Sequence, residues 1–191
     1  MKVEIINIGD ELLIGQVVNT NASWMAEQFN LVGIEVVQIT SISDTYDHIF
    51  EALDLAKKRA DVVVMTGGLG PTNDDITKEA LCKYFNTELV FNEEAFKQVE
   101  ALFKLRGFKV TAVNKRQAML PAKCTPLQNI NGTAAGMWFE EDQLVVVSIP
   151  GVPFEMKALT TNHVIPRLLQ KYNPGSTLNK TVLTQGVGES A

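Results

Sequence analysis

The sequence predicts an α/β protein built on a mostly parallel sheet with helices packed on both of its faces. Three observations carry this reading: short, almost uninterrupted apolar runs at residues 2–8, 34–41 and 62–66; helical periodicities between them; and glycines or acids directly after each run. Strands that are apolar on both sides need cover on both sides, and parallel neighbours need crossovers, which helices supply. In such sheets ligands sit at the carboxyl ends of the strands.

Met1-Lys2-Val3-Glu4-Ile5-Ile6 enters the first strand at once, without a signal-peptide pattern, and Gly9 ends it. Asn19-Thr20-Asn21 caps a helix expected over 21–31, with Ala22, Met25, Ala26 and Phe29 on one face and Gly33 closing it. After the second strand comes Asp44, then a helix over 45–59 that turns Ile49, Phe50, Leu53 and Ala56 inward. Its end carries Lys57, Lys58 and Arg59, cations that suit a helix carboxyl terminus.

The third strand runs into Thr66-Gly67-Gly68-Leu69-Gly70-Pro71-Thr72-Asn73-Asp74-Asp75. Three glycines break the strand, Pro71 bars a return to it, and a helix is expected from Asp74 behind a capping-type Thr72-x-x-Asp75. A strand, a glycine loop and a helix start together offer backbone N–H groups to an anion. The loop is neither G-x-x-x-x-G-K-[ST] nor G-x-G-x-x-G. Asp74 and Asp75 either favour the helix start, at about 0.3–1 kcal/mol each, or face a phosphate through a divalent cation. Asp10, Glu11 and Asp44 also follow strand ends, which places five acids at one sheet edge with the glycine loop and favours the metal–phosphate reading.

Further on, helices are expected over 92–105 and 111–119, with Gly107 between them. The loop Asn131–Gly136 has two glycines, Gly132 and Gly136, that either let the backbone approach a ligand or make a tight connection. Met137–Glu140 and Gln143–Ile149 read as a β-hairpin. Pro150-Gly151-Val152-Pro153 starts a last helix over 153–171 with Phe154, Ala158 and Leu159 inward, kinked or split by Pro166. Residues 173–191 read as a tail or linker with a short strand at Thr181–Thr184, after a single domain over 1–172.

Composition excludes several classes. The chain has 191 residues, 46% of them apolar, and a net charge of −5, which argues against nucleic-acid binding. No apolar run approaches the roughly 20 residues that cross a bilayer, so a cytoplasmic protein is expected. Cys82 and Cys124 have no CxxC spacing and read as buried thiols. His48 and His163 fit no HExxH or zinc set, His48 reading as a helix-surface residue, and no G-x-S-x-G elbow occurs.

Four motifs in order carry a resemblance: Gly9-Asp10-Glu11-Leu12-Leu13-x-Gly15; Asn19-x-Asn21; Thr66 through Thr77; and Pro150-Gly151-Val152-Pro153-x-Glu155-Met156. Together they resemble the N-terminal domain of the competence/damage-inducible CinA proteins, within the molybdopterin-binding, MoaB/MogA-like superfamily. The resemblance implies a three-layer α/β/α sandwich and divalent-metal-dependent hydrolysis of the ADP-ribose pyrophosphate to AMP and ribose 5-phosphate. It implies that Asp10, Glu11, Asp74 and Asp75 lie at the site. In that frame Asp10 and Asp74 hold a divalent ion (Mg, Mn, Co or Ni), and Asp75 or Glu11 acts as the base. Phosphate is expected on Thr66, Gly67, Gly68, Gly70, Thr72, Gly132 and Gly136, and the rest of the substrate on Asn19, Asn21, Asp44 and Glu155. The alternative is a non-hydrolytic pterin- or nucleotide-binding module. Ala135 stands where the family loop commonly has proline, and residues 173–191 lead toward a C-terminal region whose deamidase activity does not transfer to these residues. A homodimer is expected, with Trp138 and Phe139 as its apolar contact.

Overall fold

The computed structural model describes residues 1–72 and 74–173. Its main sheet has six strands: β1 (Lys2–Ile8), β2 (Glu35–Ile42), β3 (Val62–Thr66), β6 (Thr125–Leu127), β7 (Gly136–Glu141) and β8 (Leu144–Ile149). Their order is β2-β1-β3-β8-β7-β6. The first four neighbours run parallel, and β7 and β6 add an antiparallel flank. The expected hairpin is therefore no appendage: its second strand docks beside β3 and extends the sheet. The register aligns Asn7, Thr66 and Ile149 in one row across three parallel strands, and the site lies just beyond that row.

Alternation along the strands feeds two cores. Val3, Ile5 and Val64 point to one face, where α2 (Thr20–Leu31), α7 (Pro153–Leu159) and α8 (Ile165–Tyr172) bring Met25, Phe29, Met156 and Leu168. Ile6, Ile8 and Met65 point to the other, beneath Ile49 and Leu53 of α3 (Tyr46–Ala56) and Leu81 of α4 (Thr77–Tyr84). On that second face Phe85 stacks on Phe139 with ring centroids 4.4 Å apart. Glu4 is an acid among these strands at 0% exposure; Arg59 grips it with Nε at 2.7 Å and Nη2 at 2.8 Å, and the Thr40 hydroxyl donates to it at 2.9 Å. A buried carboxylate is tolerable only with such partners.

A smaller antiparallel pair, β4 (Leu89–Phe91) with β5 (Met119–Pro121), stands beside α5 (Glu93–Leu105) and α6 (Ala112–Arg116). It corrects the helix expected over 111–119, which ends at Arg116. Pairing with β4 outweighs helix propensity from Met119 on, and Pro121 biases the residue before it to extended backbone.

Between α7 and α8, residues Thr160–Val164 form a π-turn, with Pro166 in the first turn of α8. The split expected at Pro166 is thus present, because proline has no N–H for the preceding turn. Phe154, expected inward, is 57% exposed, and Met156 fills that role instead. Trp138 at 4% and Phe139 at 2% exposure are core residues, so the apolar surface expected of them for a dimer is absent. Cys82 is buried as expected, whereas Cys124 is only half-buried. Among the described residues no helix is long and apolar enough to cross a membrane. The tail and the strand expected at Thr181–Thr184 lie outside the described residues, apart from Asn173.

Candidate active site

The glycine loop leaves β3 under tight backbone constraints. Gly67 has φ +115° and a Cβ there would lie 2.1 Å from the Ile8 carbonyl oxygen. Gly68, at φ +63°, would collide with the Thr77 hydroxyl at 2.1 Å. Only glycine fits either position. The Thr66 hydroxyl donates to Pro150 O at 2.9 Å and Gly67 N–H to Ile149 O at 3.1 Å, tying the ends of β3 and β8 together.

Asp75 folds back on the loop rather than capping the helix. Its Oδ1 accepts from Gly70 N–H at 2.8 Å, and its Oδ2 accepts from the N–H and hydroxyl of Thr72. The helix α4 accordingly starts at Thr77, later than the expected Asp74, with no side-chain cap. With Gly67, Gly70 and Thr72 engaged, the N–H groups of Gly68 and Leu69 are the ones that find no acceptor among the described residues.

A cleft of ≈ 400 Å³ opens against this loop. Its charged lining among the described residues is Glu11, Asp44, Asp74, Asp75 and Glu155, without a lysine or arginine. Burial, and then the neighbouring Asp10, Glu11 and Asp75 carboxylates, push the Asp44 carboxyl up to about 6, against a backbone N–H from Asp10 that pulls it down. Asp74 is exposed, and its carboxyl is held below the usual range by the Thr72 hydroxyl and its own backbone. Glu155 accepts from Asn129 Nδ2 at 2.6 Å, while the Asn129 side-chain oxygen accepts from the N–H groups of Asn131 and Gly132. Asn129, not singled out in the sequence, thereby shapes the 129–134 loop on the rim.

The expected site residues divide on this geometry. Glu11, Gly67, Gly68, Gly70, Asp44, Asp74, Asp75 and Glu155 line the cleft. Asp10 acts on it through Asp44. Asn19, Asn21 and Thr66 line an adjoining cavity of ≈ 170 Å³ that shares Glu11 and Gly151 with it. There Asn19 caps α2 through Ala22 N–H, and Asn21 donates to Gly151 O at 2.7 Å. Thr72 faces a different cleft, beyond the loop. Gly132 sits beside Glu155, where a Cβ would meet that carboxylate at 2.0 Å. Gly136 opens β7 between Leu127 and Ile149, a packing position away from the cleft.

Among the described residues no three His, Cys, Asp or Glu side chains converge to hold a metal ion by themselves. A magnesium-type ion takes one or two carboxylates as ligands and completes its shell with water and substrate phosphate. The raised Asp44 fits the same role, since a cation would relieve the repulsion around it.

Fold and site together define an α/β/α domain of the molybdopterin-binding class. The family described as "Probable molybdopterin binding domain" matches residues 4–170. The CinA-like protein of Flavobacterium psychrophilum is 49% identical over 100% of this chain and 46% of its own length. A crystal structure of the protein CinA, of unknown function, from Thermoplasma acidophilum superposes with TM-score 0.77 at 33% identity, covering 86% of this chain and 96% of that one. MoaB from Thermus thermophilus shares the fold at TM-score 0.60 and 20% identity, over 88% of this chain and 92% of that one. The chain belongs to the molybdopterin-binding domain family, in its CinA-like, competence-damage inducible branch. It spans about half the length of the curated relatives it matches.

Proposed function

We propose that this domain hydrolyses the pyrophosphate bond of ADP-ribose with the help of a divalent cation. The observation that carries the reading is Asp44, held among three further carboxylates directly against a loop with two free N–H groups. Cleavage of a phosphoanhydride needs the charge on its oxygens neutralised and a water placed in line. A divalent ion in the cleft would supply charge neutralisation and a more acidic water. Asp44 with Glu11 is the carboxylate pair best placed to hold it, with Asp10 supporting Asp44. The N–H groups of Gly68 and Leu69 are free to hold phosphoryl oxygens. Asp75, saturated by three donors, serves to shape the loop in place of the base role expected from sequence. Water adds across the P–O–P bridge and one P–O bond breaks, giving AMP and ribose 5-phosphate.

Incubation of ADP-ribose with the pure protein, with and without EDTA, followed by chromatography, tests this. AMP that forms with Mg²⁺, Mn²⁺, Co²⁺ or Ni²⁺ and disappears with EDTA is expected; no AMP with any of the four overturns it.

A second reading, a non-hydrolytic pterin- or nucleotide-binding module, is favoured by the family's description as a probable molybdopterin binding domain. Tight pterin-phosphate binding without turnover of ADP-ribose would select it.

A further inference from the structure

The glycine loop has a second face. Beyond it, a cleft of ≈ 250 Å³ shares Gly68, Leu69, Gly70, Pro71 and Asp75 with the acidic cleft as a common wall. Its charge is mixed: Lys78 and Arg116 line it together with Asp75 and Glu79. Neither cation forms an ion pair among the described residues. Lys78 sits half-buried on α4, and its Nζ reaches only the carbonyl oxygens of Arg116 and Gln117, at the long distances of 3.4 and 3.5 Å. Burial pushes its ammonium group down from the usual lysine value, while the Glu79 and Asp75 carboxylates pull the other way.

The carboxylates of that cleft do not supply the partner. Asp75 is occupied by the Gly70 and Thr72 donors, and Glu79 is exposed. At the inner wall, Gln117 is 3% exposed and its side-chain oxygen has no hydrogen-bond partner. Buried amide oxygens are rarely left so. Two unpaired cations beside a buried, unsatisfied acceptor describe a site for a group that is anionic at one end and carries a hydroxyl donor at the other. The volume is below that of pockets enclosing a whole drug-sized ligand and suits a sugar phosphate.

We propose that Lys78, Arg116 and Gln117 form a second, metal-independent anion site that binds a sugar-linked phosphoryl group, the two cations taking the phosphate and Gln117 a sugar hydroxyl. The site does not rest on the hydrolytic reading. Arginine provides the planar fork that matches phosphate oxygens, and lysine a point charge.

The test is a titration of the ¹⁵N-labelled protein with ribose 5-phosphate, and separately with inorganic phosphate, in EDTA. EDTA leaves the acidic cleft without a cation and repulsive to phosphate, so that a failed hydrolysis assay and a failed titration are separate results. Both ligands should shift the amide signals of residues 78 and 115–118. Arg116→Ala, an exposed position that leaves the core intact, should weaken both ligands at least tenfold, as should Lys78→Gln. Gln117→Leu should weaken ribose 5-phosphate severalfold and leave inorganic phosphate unchanged. No shifts in EDTA, or wild-type affinity in both Arg116→Ala and Lys78→Gln, would overturn the proposal.

Discussion

The Oδ1 atom of Asp44 lies 3.0 Å from where a Cβ on Gly68 would stand. The acid after β2 and the loop after β3 are thus in contact at one point, although 24 positions separate them in the chain. Gly68→Ala should therefore damage the site twice over, through a φ of +63° and through collisions with Thr77 and Asp44. A stability loss of about 1–3 kcal/mol from the backbone strain and at least a hundredfold loss of hydrolysis are expected. Urea unfolding and product chromatography measure them.

The pH dependence follows from Asp44, whose carboxyl is raised to about 6 from an ordinary value of 3.8. Between those values the folded state binds more protons than the unfolded state, so the stability from this group is present below 3.8 and is lost as pH rises through 6. The group is only half-buried, and solvent screening limits the effect to about 1 kcal/mol or less. Asp44→Asn should raise the thermal midpoint at pH 8 and leave it unchanged near pH 4. Mn²⁺ should stabilise the wild type at pH 8, hardly at pH 4.5, and the variant at neither.

Asp74→Asn and Asp75→Asn separate the two loop acids. Asp74 is exposed, so its replacement should leave the urea midpoint where it was, and any fall in activity reports a part in binding or chemistry. Asp75→Asn keeps one acceptor oxygen and turns its NH₂ toward the donors of either Gly70 or Thr72. It should cost about 1–3 kcal/mol and lower activity at every metal concentration. A variant at position 75 rescued by excess metal would refute its loop-shaping role.

Arg59→Ala leaves Glu4 buried without its cation. Loss of one partner of a buried pair costs about 3–5 kcal/mol, and the half-exposed guanidinium points to the lower end, about 3 kcal/mol. Glu4→Gln with Arg59→Ala should recover part of that loss, as read from urea midpoints of the single and double variants.

Much of this was legible in local chemistry. Apolar runs located β1 and β3, the hairpin pattern located β8, glycine and proline located the loop after Thr66, and Asn19 showed where a helix begins. What was hidden depends on contacts between distant segments. Nothing near Val145 announces that it pairs with Val62, and the apolar residues at 118–120 fit a helix as well as a strand until β4 is in place. Asp75 carries a capping signature, yet its donors come from the loop before it. Gly136 looked like a ligand-approach glycine because packing between Leu127 and Ile149 cannot be seen from its neighbours in sequence. Lys78, Arg116 and Gln117 meet only because the end of α6 comes against α4, 38 and 39 positions earlier in the chain.

The π-turn at Thr160–Val164 makes the last helix a matter of counting. An α-helix advances about 100° per residue, and a π-turn accommodates one residue more than the α-helical repeat requires. Closing the turn to a regular α-helix with every residue kept would swing α8 by more than a quarter of a circle. Leu168, now sealed against Phe29's side of the sheet, would rotate toward water, and polar Gln170 or Lys171 would turn inward. The widened turn between Leu159 and Ile165 is therefore what keeps the apolar face of α8 on the sheet.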